Sequence, residues 1–191
     1  MTEVKGLSYD EYVAVIDQLI AEGKSTGPNQ SESLTHYSKL NAQRMSRIHK
    51  TTELLPVVHE ALSKCEPQHW TVFTEGWCGD AANNIPVMDL IAKASGGKIT
   101  LNLLLRDDHL DLMDQYLTNG ARSIPKLVVH DADGTKEKAV WGPRPEPAQH
   151  MMMDHKANPV EGRDIYREVQ LWYNTDKTET LQRELVDIIL K

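Results

Sequence analysis

Trp70-Thr71-Val72-Phe73-Thr74-Glu75-Gly76-Trp77-Cys78-Gly79-Asp80 changes character halfway along. Its first five residues are aromatic or β-branched, the make-up of a short buried strand. Trp77-Cys78-Gly79-Asp80 follows where that strand ends, and a helix is predicted from about Ala81 to Ala94. The orphan N–H groups and positive dipole end of such a helix face the sulfur of Cys78, a setting that favours a thiolate. Because the thiolate is the nucleophile, and a helix start can lower a cysteine pKa by one or more units from about 8.5, Cys78 is the leading candidate for a reactive group.

The pattern continues outward from there. Gly96-Gly97 precedes a predicted strand Ile99–Leu105, a helix from about Asp108 to Leu117, and Asn119-Gly120. Strand, helix, strand, helix in succession implies an α/β sheet. Lys126-Leu127-Val128-Val129-His130, the turn Asp131-Ala132-Asp133-Gly134 and Lys138-Ala139-Val140-Trp141 make a β-hairpin. Upstream, Tyr12, Val13, Ile16, Leu19 and Ile20 mark a helix over Tyr9–Ala21, which a breaker cluster from Gly23 to Asn29 ends. Leu34, Tyr37, Leu40, Met45, Ile48 and Leu55 predict a longer helix, kinked or ended near Pro56 and resumed through Leu62. The last third returns to helix: Asp176 and Glu179 form a capping-box pattern ahead of the apolar face Leu181, Leu185, Ile188 and Ile189. Internal repeats and low-complexity tracts are absent from the sequence.

At 191 residues and 40% hydrophobic composition the chain can bury a real core. Its formal charge of −7 counts against a nucleic-acid or anionic-membrane partner, since phosphate binding needs Lys and Arg in excess on one face. A local basic pocket stays open. Cys65 and Cys78 are the only cysteines, too few for a disulfide scaffold. The start, Met1-Thr2-Glu3-Val4-Lys5-Gly6, lacks the pattern of a secretory leader, and no apolar run approaches the roughly 20 residues that span a bilayer. The expectation is a reduced, cytoplasmic protein.

The Trp-Cys-Gly-Asp turn between strand and helix resembles the thioredoxin superfamily, in which a strand leads into Trp-Cys-Gly-x-Cys. Pro86 stands eight residues after Cys78, where the family has a helix-kinking proline. Ser123-Ile124-Pro125-Lys126-Leu127-Val128-Val129 looks like the family's cis-proline segment, and Gly134 falls in the following hairpin turn as it does there. The resemblance runs directly from Trp70 to Trp141 and is nearest to bacterial thioredoxin-family proteins carrying Trp-Cys-Gly-Asp-Ala. It implies a three-layer α/β fold, a mixed central sheet with helices on both faces. The expected layout is a single domain over 1–191, with its core at about 70–150, a helical N-terminal extension over 8–65 and C-terminal helices over 146–190.

Two positions depart from the family. Ala81 stands where the second cysteine belongs, so exchange would stop at a mixed disulfide until another thiol attacks. Val72, six residues before Cys78, replaces a buried acid. Asp80 further opposes a nearby thiolate while favouring the helix start, and the two effects pull the pKa of Cys78 in opposite directions. The expected function is monothiol exchange: Cys78 attacks a protein disulfide or low-molecular-weight thiol adduct, Pro125 shapes the site, and an external reducing thiol resolves the adduct. Trp77, Gly79, Asp80 and Ile124 would contact substrate, and Arg122 and Lys126 would receive carboxylates of a small peptide thiol. The rival is a non-catalytic module that holds an extended peptide in the Cys78/Pro125 cleft. Cys65 is the alternative resolving thiol, although placed near a helix end before the strand. Arg44 and Arg47 would lie over the site if the helical extension packs there.

Neither a cofactor nor a metal is expected. The Gly-rich nucleotide motifs and Cys/His zinc patterns are missing, and the two histidines of His150-Met151-Met152-Met153-Asp154-His155 do not share a helix face. That segment reads as a solvated helix edge with Met packing inward. Trp141-Gly142-Pro143-Arg144-Pro145 reads as a strand end and a structural turn.

Overall fold

A computed structural model describes residues 4–191; Met1, Thr2 and Glu3, part of the start read above as leaderless, lie outside the described residues. Helix α1 (Tyr9–Ala21) begins with a capping box, in which Ser8 and Glu11 each accept the other's backbone N–H. Helix α2 (Glu32–Thr51) is capped by Ser31, and α3 (Pro56–Lys64) starts on a proline whose missing N–H costs nothing in the first turn. Leu55, the residue before that proline, is extended with ψ 148°, so that of the two expectations, a kink or an end near Pro56, the helix ends and a separate one begins.

Strand β1 (Gln68–Thr74) leads into α4 (Gly79–Ala94), which crosses over to β2 (Ile99–Leu105). Such a crossover makes β1 and β2 parallel. The chain then makes a 3₁₀ turn over Arg106–Asp108 and a single helical turn, α5 (Leu110–Met113). The helix expected to reach Leu117 stops early because the bonding switches after Asp114 from the i→i−4 to the i→i−3 pattern, in Gln115→Leu112 and Tyr116→Met113. Strands β3 (Lys126–Asp131) and β4 (Glu137–Trp141) form the hairpin, with an irregularity at Val129/His130. The sheet order is β2-β1-β3-β4, with β3 antiparallel to both neighbours. On the outer edge of β2, Leu7 and Leu103 exchange two backbone hydrogen bonds of 2.8 Å each.

Helices α6 (Glu146–Ala157), α7 (Ile165–Asp176) and α8 (Glu179–Ile189) complete the chain. The start of α8 lies two residues beyond the one that the Asp176/Glu179 box marks. Lys177 and Thr178 are both left-handed, Thr178 is the N-cap of α8, and Asp176 accepts from Thr180 N at 3.2 Å. The architecture is a mixed sheet with helices on both faces and a helical N-terminal extension. The two faces are unequally covered. Trp70 and Val72 of β1 are fully buried on the face that also takes Gln68, whose Nε2 donates to Ile189 O of α8. Each fully buried side chain of this size contributes roughly 1.5–3 kcal/mol. On the other face α5 covers one end, where Tyr116 packs on Phe73 with ring centroids 6.1 Å apart. Beyond it lies a cavity of about 350 Å³ over His69, Thr71, Thr100 and Val128. No helix among the described residues is long and apolar enough to cross a membrane.

Candidate active site at the start of helix α4

Cys78 is the N-cap of α4. Its backbone N–H bonds Glu75 O at 3.1 Å, closing the turn that Gly76 and Trp77 occupy. Its Sγ accepts from Ala81 N at 3.4 Å and donates to Ile124 O at 3.3 Å. The Ile124–Pro125 bond is cis. Cys78, Gly79, Asp80, Ile124 and Pro125 therefore meet in one place.

The opposing influences on Cys78 resolve in one direction. The residue is 8% exposed, and burial, reinforced by the charge of Asp80, pushes its thiol up to about 12 against the Ala81 N–H and Arg144. The helix start that favours a thiolate is outweighed because a buried sulfur loses its hydration while the nearest carboxylate adds repulsion. The resting sulfur is a thiol, as its donation to the Ile124 carbonyl requires.

Asp80 is itself held on two sides. Oδ2 lies 2.6 Å from Arg144 Nη2, and Oδ1 accepts from Tyr173 Oη at 3.1 Å. Burial still raises its carboxyl above the ordinary range. Asn84 Nδ2 reaches both Asp80 O (2.8 Å) and Tyr173 Oη (3.1 Å), so α7 buttresses the first turn of α4. Sequence reasoning missed Arg144 and Tyr173. Arg144 lies in the turn read as structural, and it carries the ion pair to Asp80. Its one signal is a cation between two prolines immediately after a strand. Tyr173 offers none, because its partner is 93 residues away.

The flanking cations have partners of their own. Lys126 is buried, with Nζ donating to Thr118 Oγ1 (2.5 Å) and Gly142 O (3.0 Å), and burial lowers its pKa. Arg122 forks onto Asp114 at 2.6 and 2.8 Å. Trp77 is half-buried beneath the Arg106 guanidinium, 5.0 Å from its ring centroid. The helical extension does pack here: α2 lies along α4 and brings Arg44 Nη1 to 3.6 Å from where a Cβ on Gly79 would sit. Arg47 reaches instead toward Asn174 Oδ1, at 3.3 Å.

Cys65 caps the far end of α3, before β1, and both cysteines are free. The seven residues of β1 span about 20 Å, well outside the roughly 7 Å Cα limit of a disulfide. Cys65 therefore does not face Cys78. A buried acid is present, though not at Val72: Glu75 is fully buried, its Oε1 accepts from Asp107 N at 3.0 Å, its Oε2 has no partner, and burial raises its pKa. In α6, Met151 and Met152 pack against the buried cluster of Ala148, Ile165, Val169 and Tyr173, while Met153 is exposed. No group of three or more potential metal ligands occurs among the described residues.

The sequence profile of a family described as thioredoxin matches residues 27–158. The chain belongs to the thioredoxin family. A chloroplastic M-type thioredoxin of Zea mays is 32% identical over 90 residues, 47% of this chain and 52% of that protein. The chain thus spans about half the length of the curated relative it matches. Two solved structures share the fold: a protein of unknown function from Pseudomonas aeruginosa and an HIV epitope-scaffold. The first has TM-score 0.59 and 16% identity, covering 96% of this chain and 97% of that one. The second has TM-score 0.59 and 17% identity, covering 91% and 96%. The thioredoxin match includes the whole of α2, which brings Arg44 to the site, as well as the cysteine turn.

Proposed function

We propose that this thioredoxin-family chain carries out monothiol thiol–disulfide exchange through Cys78, with the adduct resolved by an external thiol. The observation that carries the reading is the placement of the Cys78 sulfur against the Ile124 carbonyl beside Pro125, at the start of a helix whose third residue is Ala81. A sulfur so placed meets an extended substrate strand, and the absence of a second cysteine leaves the mixed disulfide intact until a free thiol arrives. Its high pKa makes exchange slow at rest and faster with rising pH, because the thiolate fraction limits attack. The Trp-Cys-Gly-Asp-Ala subgroup assignment and a cytoplasmic setting belong to the same proposal, the latter because a free monothiol needs reducing surroundings. The layout proposed is one domain, its core at about 70–150.

The reading is tested with a cysteine peptide capped as its mixed disulfide with mercaptoethanol, incubated with the protein and excess mercaptoethanol. Release of the free peptide is expected with Cys65→Ser and lost with Cys78→Ser. Equal release by Cys78→Ser sinks it. The 8% exposure of Cys78 favours one alternative, a module that holds an extended peptide in the same cleft without turnover. That module would bind a peptide equally well as Cys78→Ser.

A further inference from the structure

The cations that the sequence offered for an anionic substrate, Arg122 and Lys126, are engaged elsewhere, and the structure brings a different one to the sulfur. Of the eight arginines, Arg106, Arg122, Arg144, Arg163 and Arg183 pair with a carboxylate. The other three, Arg44, Arg47 and Arg167, have no acid within 4.0 Å among the described residues, and of these Arg44 is the one that reaches the cysteine turn. Arg44 is half-buried against Gly79, and its hydrogen bond goes to Asn41 Oδ1 at 2.5 Å. Asn41 in turn donates to Gly76 O at 3.0 Å, which fixes the guanidinium relative to the Trp77-Cys78 turn. Burial and the like charge of Arg47 both lower the pKa of Arg44, so the free protein carries an electrostatic cost here that an anion would relieve. Arg44 and Arg144 act on the single carboxylate of Asp80, and Arg47 adds a third cation near Arg44, a local excess of positive charge in a chain of net charge −7.

We propose that Arg44, seconded by Arg47, is an anion-receiving subsite beside Cys78 that selects low-molecular-weight thiol partners bearing a carboxylate. The inference rests on the exchange reading of Cys78. A small partner is favoured because the sulfur is recessed, and Arg44 closes over the first helical residue next to it. In the first step a bond forms between Cys78 Sγ and the small partner's sulfur as the client's disulfide breaks, and the departing client thiolate takes up the proton that Sγ gives up. A second small thiol then attacks the partner's sulfur and restores the Cys78 thiol. In sum, the mixed disulfide of client and small partner and one free small thiol become the client thiol and the symmetrical small disulfide, so one disulfide bond is exchanged for another and no further oxidant or reductant is needed. Arg44 holds the carboxylate of the small partner through the first step.

The test uses the full chain as Cys65→Ser. Modification of Cys78 by dithiodipropionic acid, a dicarboxylate, is compared with modification by uncharged hydroxyethyl disulfide, both followed by intact mass. The dicarboxylate is expected to react about tenfold faster, the effect of one charge-assisted hydrogen bond. Added salt should erode that ratio. In Arg44→Gln/Arg47→Gln the ratio of the two rates should fall to about one, a ratio in which any change in the sulfur's own reactivity cancels; Arg44→Lys should restore part of it. Arg47→Gln alone, at an exposed position, should lower the ratio even if the double variant does not fold. A ratio near one in the parent protein, or one unmoved by these substitutions, overturns the subsite and leaves exchange standing. If neither disulfide modifies Cys78, the exchange reading falls and the subsite with it.

Discussion

Arg144 Nη2 lies 2.6 Å from Asp80 Oδ2, with both side chains less than 15% exposed, two residues along from the cysteine at the start of α4. The pair sets the charge felt by the sulfur: the carboxylate raises the Cys78 thiol and the guanidinium opposes it. Removing either partner moves the thiol in a known direction.

Asp80→Asn takes away the repulsion and should lower the Cys78 pKa below about 12, leaving burial as the main cause of elevation. Arg144→Ala should raise it further and cost about 3–5 kcal/mol of stability, because it strands a buried carboxylate. Alkylation of Cys78 against pH, with Cys65→Ser as background, reads the first effect, and urea unfolding reads the second. The pair's influence on the sulfur is refuted if the alkylation profile of Asp80→Asn overlays the parent's.

Glu75 gives the chain an expected pH dependence. Its folded pKa lies above the ordinary glutamate value, so its contribution to stability is fully present below the unfolded pKa and is lost as pH rises through the folded one. Glu75→Gln should therefore gain stability relative to the parent as pH rises from about 4 toward neutrality. Urea midpoints measured across that window check it. A constant difference between the two proteins would show that Glu75 keeps its proton, or loses it, equally in both states.

The sheet and its helices were legible because they rest on local signals: aromatic and β-branched residues for β1, an apolar run after Gly96-Gly97 for β2, the helical spacing of Tyr12, Ile16 and Ile20 for α1, and Pro56 for α3. The position of Cys78 at a helix start was legible for the same reason. The fate of its thiol was not, since burial depends on Ile124 and on helices far away in the chain, and sequence spacing carries no dielectric. Asp80 illustrates the limit. Its conflict with the helix dipole was visible, but its partners Arg144 and Tyr173 come from elements 64 and 93 residues later. The positive φ values at Lys177 and Thr178, which shifted the start of α8, fall on residues that rarely adopt them and left no mark in the sequence pattern.

Ala81→Cys should create a pair able to close. Ala81 N already bonds Cys78 Sγ at 3.4 Å, so the first turn of α4 brings the two positions together. After oxidation both thiols should resist labelling, and reduction should restore both. If oxidised Ala81→Cys still shows two free thiols, the turn is more open than the observed geometry.

Gly142 supports the other wall of the cleft, and its replacement isolates that support from the chemistry. Its φ of +109° lies where side chains are strained, and a Cβ there would collide with the carbonyl of Pro125. Its own carbonyl accepts from Lys126 Nζ at 3.0 Å, which ties the strand end to the proline loop. Gly142→Ala should therefore cost more than about 1 kcal/mol and move the Ile124 carbonyl off the sulfur. Thermal unfolding measures the first effect. The second appears as a change in the alkylation rate of Cys78, since the sulfur loses the acceptor that shields it. A variant as stable as the parent, with an unchanged rate, would mean that the proline loop stands without Gly142.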